Sequence, residues 1–64
     1  MCLSTVYMES KKPESVVMKN VMKIECKDEY VVLTDLMDRS VSIKGTLVCA
    51  NLVDAFAIVK GEVA

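Results

Sequence analysis

The stretch Val21-Met22-Lys23-Ile24-Glu25-Cys26-Lys27 alternates residue by residue, with Met22, Ile24 and Cys26 on one side of an extended chain and Lys23, Glu25 and Lys27 on the other. A helix would scatter these side chains around its circumference, whereas a strand with one face buried sorts them cleanly. The same period recurs further on. After the polar break Asp28-Glu29, the β-branched run Tyr30-Val31-Val32-Leu33-Thr34 is placed to pair back as a hairpin. Met37-Asp38-Arg39 interrupts the pattern, and Ser40-Val41-Ser42-Ile43-Lys44 resumes it with Val41 and Ile43 inward. Gly45 follows, where a bend or bulge would require a residue without Cβ.

The flanking segments extend this meander. Leu3 to Met8 is predicted as the first strand, closed by the polar turn Lys11-Lys12-Pro13-Glu14, and Ser15 to Asn20 as irregular extended chain, with a single helical turn as the alternative. Thr46 to Lys60 is apolar almost throughout, which also suits a buried helix. Its β-branched residues and the polar Asn51 and Asp54 favour a hairpin, with the turn between Leu47–Ala50 and Ala55–Lys60. The expectation is an all-β chain in which residues 1–64 form a single small barrel of about six short antiparallel strands.

A barrel of 64 residues buries only about 60% of its unfolded surface and needs a further source of stability. Cys2, Cys26 and Cys49 are odd in number and show no CxxC spacing, which favours reduced thiols over disulfides. With hydrophobic residues at 53% and aromatic residues at 5%, burial of aliphatic surface between two copies is the natural alternative, so a homodimer is expected. No apolar run approaches the roughly 18 residues of a membrane span and no secretory leader pattern opens the chain, so a cytoplasmic protein without a membrane partner is expected. The formal net charge of −1 does not suit a protein that neutralises many phosphates, and nucleic acid is not an expected partner. Histidine is absent, removing the commonest general base; with no nucleophile–base pair and no phosphate loop, the chain is not expected to be an enzyme.

Cys2 is open to two readings. It packs as a small hydrophobe at the barrel end, or it uses its place at the terminus. Removal of the initiator methionine would put an amine, a thiol and the next amide nitrogen on consecutive positions. Nitrogen and thiolate donors in a plane suit Ni(II) or Cu(II) better than Zn(II) or Mg(II), and a two-fold axis would bring a second set alongside. Cys26 and Cys49 lie mid-strand and are expected in the core, as are Met8, Met18 and Met22. Lys19, Lys23 and Lys27 recur at four-residue spacing near Tyr30, which offers an RNA-binding barrel as an alternative function. Glu25 interleaves with them and favours an ordinary solvated face.

The opening Met1-Cys2-Leu3-Ser4-Thr5-Val6-Tyr7, the segment Val21 to Glu25 followed by Val31-Val32-Leu33-Thr34-Asp35-Leu36, and Lys44-Gly45 leading into Leu47 resemble the CooT family, small nickel-binding accessory proteins of carbon monoxide dehydrogenase. The resemblance covers nearly the whole chain. It implies a homodimer of SH3-like barrels that binds Ni(II) through Cys2, and a metallochaperone-like role toward carbon monoxide dehydrogenase or its maturation machinery. Joined to the chelation reading above, it makes the expected site the Cys2 thiolate with backbone nitrogen at Cys2 and Leu3, at the dimer interface. Family members have also been described as RNA-binding. The chain departs from the usual pattern at Asp38, where the family commonly has a glycine after the apolar residue, and at Val48-Cys49-Ala50-Asn51, where the family's approach to the last hairpin is usually more acidic and isoleucine-rich.

Overall fold

The computed structural model describes residues 3–64. Five strands, β1 (Ser4–Met8), β2 (Val16–Cys26), β3 (Tyr30–Asp35), β4 (Ser40–Asn51) and β5 (Phe56–Val63), form a closed barrel, with a 3-10 turn at Pro13–Ser15. Neighbours in sequence pair antiparallel. A parallel pairing of β1 with β5, from Thr5 opposite Phe56 to Met8 opposite Val59, closes the ring and leaves no long free edge. The all-β barrel expected from the alternation is therefore the fold, with five strands instead of about six. Ser40–Lys44 and Leu47–Ala50 are halves of one strand, whose first half pairs with β3 and whose second half pairs with β5. Gly45 lies at the crossing. Residues 16 to 20, expected as irregular extended chain, continue directly into the alternating strand as one long β2.

The core consists of Val6, Val21, Val31, Leu33, Ile43, Ala57 and Val59, with Met8, Val17, Met18, Ile24, Val41 and Leu47 packed around it. No aromatic ring contributes; β-branched and small side chains fill the narrow interior. Bulges decide which residues face in. Between Tyr7–Val16 and Ser4–Val21 the β1–β2 register shifts twice, each time with an extra residue on β2, and Asn20 takes a left-handed φ of 57° there. Met22 is the extra residue between Val21–Asp35 and Lys23–Thr34. Val48 is the extra residue between Leu47–Val59 and Cys49–Ile58.

These bulges overturn part of the inward assignment. Of Met22, Ile24 and Cys26, only Ile24 packs against the core; Met22, bulged out of the ladder, is exposed. Cys26, at the hairpin end of β2, and Cys49, turned outward by the bulge at Val48, are exposed free thiols, contrary to the expected core positions.

Both expected turns are present. Asn51 Oδ1 accepts the amides of Val53 (3.1 Å) and Asp54 (2.8 Å), making the β4–β5 turn a side-chain-capped one. Between β3 and β4, Asp35 Oδ1 accepts the amides of Met37 and Arg39, each at 2.9 Å, and Asp38 has φ 65°. That left-handed value is the conformation a glycine adopts freely, so the departure at Asp38 replaces glycine with a residue that tolerates the region.

Candidate functional site

Cys2, the expected metal ligand, lies outside the described residues. The structure does describe what it is attached to. Leu3, half-buried, leads directly into β1, and Ser4 pairs with the buried Val21. The Thr5 amide, donating to Ala55 O at 3.1 Å, ties this entry to the β4–β5 turn.

Ser4 also lines a hollow of about 340 Å³ with Val21, Met22, Ile24, Leu47 and Leu52 among its walls. These walls are mainly aliphatic. Met22 at 45% and Leu52 at 81% exposure are the bulged strand residue and the turn residue that flank the start of β1. Beside Leu52 on the same turn, Val53 is 93% exposed. Leu36 and Met37, both exposed, occupy the β3–β4 turn, whose Leu36 amide donates to Asn20 O at 2.8 Å. The exposed Met22 and Leu52 around the hollow form an apolar surface suited to association rather than to water.

Among the described residues no group of three or more His, Cys, Asp or Glu side chains stands close enough to hold a metal ion. Of the expected ligand set, Leu3 with its backbone nitrogen is the member within the described residues. The exposed thiols Cys26 and Cys49 lie on β2 and β4, neither of them a wall of the hollow beside Ser4.

The lysines expected to share a face are split. Lys23 pairs with Glu25 at 3.7 Å beside the apolar hollow, Lys27 sits in the β2–β3 turn, and Lys19 lines a different depression. The four-residue spacing carries no sign that β2 passes from pairing with β1 to pairing with β3 between Lys19 and Lys23, which puts the two side chains over different strands. No helix among the described residues is long and apolar enough to cross a membrane.

The described residues build a small closed barrel with an aliphatic hollow beside the start of its first strand. The match to known families makes this specific: residues 1–60 fit the family of the CO dehydrogenase accessory protein CooT, and the chain belongs to that family. The family is one of accessory proteins, not of enzymes, and the chain shares its CO dehydrogenase accessory role. No curated protein matches the chain closely enough to count as a relative.

Proposed function

We propose that the chain is a cytoplasmic homodimer that binds Ni(II) as cargo and serves the maturation of carbon monoxide dehydrogenase. The observation that carries the reading is the family match over residues 1–60, which includes Cys2 and all of the barrel except the end of β5. Cys2 supplies the thiolate and the Leu3 backbone nitrogen the neighbouring donor, contributed by each of two copies. Bound there, nickel would be held by soft sulfur and main-chain nitrogen, a donor set it accepts in planar geometry.

The barrel's part is mechanical and electrostatic. β1 begins at Ser4, so the proposed donor nitrogen of Leu3 adjoins an ordered strand. The apolar walls around Ser4 give a second copy aliphatic surface to cover, which would also supply the burial that a chain of 64 residues lacks on its own.

Titration of the purified protein with Ni(II), followed by absorbance, tests this. About one ion per dimer is expected, with a thiolate-to-metal charge-transfer band. Cys2→Ser should remove the band, and Cys26→Ser and Cys49→Ser should leave it. Retention of nickel by Cys2→Ser would overturn the site.

A further inference from the structure

On another part of the β1–β2 surface, Thr5, Tyr7, Lys11, Lys12, Pro13, Val16 and Lys19 line a depression of about 530 Å³. We propose that this depression binds a small phosphate-rich anion of the nucleoside polyphosphate class, with Lys11, Lys12 and Lys19 holding the phosphates and Tyr7, Pro13 and Val16 offering an apolar floor to the base.

The site is built by the irregularities of β2. The register shifts between Tyr7–Val16 and Ser4–Val21 put Lys19 and Asn20 opposite Thr5, so Met18 stays against the core while Lys19 faces out with Thr5 and Tyr7. Two bulges in so short a pairing, one with Asn20 at φ 57°, are costly unless they aim a side chain. On the other side, Glu9 at φ 70° turns the chain out of β1, and the segment through Lys12 to the Pro13–Ser15 turn forms the wall. Lys11 is fixed by its ammonium lying 4.3 Å above the Phe56 ring, which itself meets Tyr7 edge-on at 6.4 Å.

The charge is uncompensated. No carboxylate belongs to the lining, and among the described residues none lies within ion-pair distance of Lys11, Lys12 or Lys19, whereas Lys23 and Arg39 both have acidic partners. Three lysines line one depression in a chain of net charge −1. Such a local concentration suits a compact polyanion, while a nucleic acid strand would require a basic track continuing across the surface. The volume falls within the range of roughly 300–1,000 Å³ typical of small-molecule sites.

The test uses the full chain freed of metal with a chelator, so its outcome is independent of nickel binding. Adenosine triphosphate, tripolyphosphate and single-stranded oligonucleotides of increasing length are titrated by calorimetry and by amide chemical shifts. Expected is saturable binding of adenosine triphosphate that weakens with salt, with shifts centred on Thr5, Tyr7, Lys12, Val16 and Lys19. The double variant Lys12→Gln/Lys19→Gln should weaken it by roughly tenfold or more, and Lys23→Gln/Lys27→Gln should not. Equal binding of tripolyphosphate assigns the affinity to the phosphates, and tighter binding of the nucleotide adds a base contact; both support the site. Absence of saturation, unchanged affinity in the Lys12/Lys19 variant, or oligonucleotide affinity that climbs with length above that of the nucleotide would overturn it.

Discussion

Gly45 and Gly61 stand directly opposite one another where β4 changes partners from β3 to β5, and each leaves room only for the other's backbone. A Cβ on Gly45 would come within 1.8 Å of the Lys60 carbonyl oxygen, and one on Gly61 within 2.1 Å of the Lys44 carbonyl oxygen. The obstacle is main chain on both sides, so no side-chain rotation relieves it. Gly61 also has φ 134°, outside the range L side chains adopt readily.

Gly45→Ala should therefore destabilise the barrel by about 3 kcal/mol or more, at the upper end of what overpacking costs, because the two strands must part. Chemical denaturation of wild type and variant measures it. A loss below about 1 kcal/mol would mean that β4 and β5 separate easily at this crossing.

Asp35 is buried and is tied to its own turn: its carboxylate accepts the amides of Met37 and Arg39 and the Nε–H of Arg39, the last at 2.8 Å. The Arg39 amide, with the Arg39 guanidinium and the Met37 amide adding to it, holds the carboxyl below its ordinary range despite the opposing effect of burial. A folded pKa below the unfolded one means that the unfolded chain binds the proton more readily. The stabilisation is therefore present above the unfolded value of about 3.9 and is lost as pH falls through the folded pKa. Denaturation midpoints measured from neutral pH downward should fall below about pH 4 in wild type, and less steeply in Asp35→Asn. Parallel profiles for the two proteins would show that another carboxylate governs acid sensitivity.

The strands were legible where period and turn chemistry agree. Residues 21–27 and Ser40–Lys44 alternate, Tyr30–Thr34 is a β-branched and aromatic run, and Asn51 with Asp54 marks its own turn. The bulges at Asn20, Met22 and Val48 were not, since a bulge adds one residue without changing composition and then inverts the facing of the rest of its strand. That inversion is why Cys49 was placed inside. Gly45 was legible as a special position, but its signal reads equally as a break or a crossing, and the two halves of β4 were accordingly counted apart. Among candidate site residues, Cys2 stands out by its place in the sequence alone. The convergence of Lys11, Lys12 and Lys19 depends on β1–β2 pairing that no local spacing encodes.

Exposure of Cys26 and Cys49 has a direct chemical consequence. Both thiols should be alkylated by iodoacetamide in native buffer nearly as fast as in denaturant, when followed by mass spectrometry of digested peptides. Core thiols, reached only by global unfolding, would be protected by a factor of roughly 10³ or more. Protection of that size at either residue, persisting at dilutions where the protein is monomeric, would place it inside after all.

Leu52 tests how the proposed homodimer is assembled. It is 81% exposed, lines the aliphatic hollow beside Ser4, and sits on a turn whose conformation is set by Asn51, so replacing its side chain leaves the barrel's own contacts intact. If two copies meet at this mouth, the symmetry operation covers Leu52 twice. Leu52→Lys then removes about 3 kcal/mol or more of apolar burial per dimer and adds two charges that face desolvation. Sedimentation should show the wild type as a dimer and the variant shifted toward monomer by at least about a hundredfold in dissociation constant, with the β-sheet circular dichroism unchanged. Because the proposed nickel centre draws one thiolate from each copy, nickel affinity should fall in the same variant even though Cys2 is untouched. A variant that remains dimeric would move the interface away from this end of the barrel; one that becomes monomeric yet binds nickel undiminished would show that a single chain supplies the whole donor set.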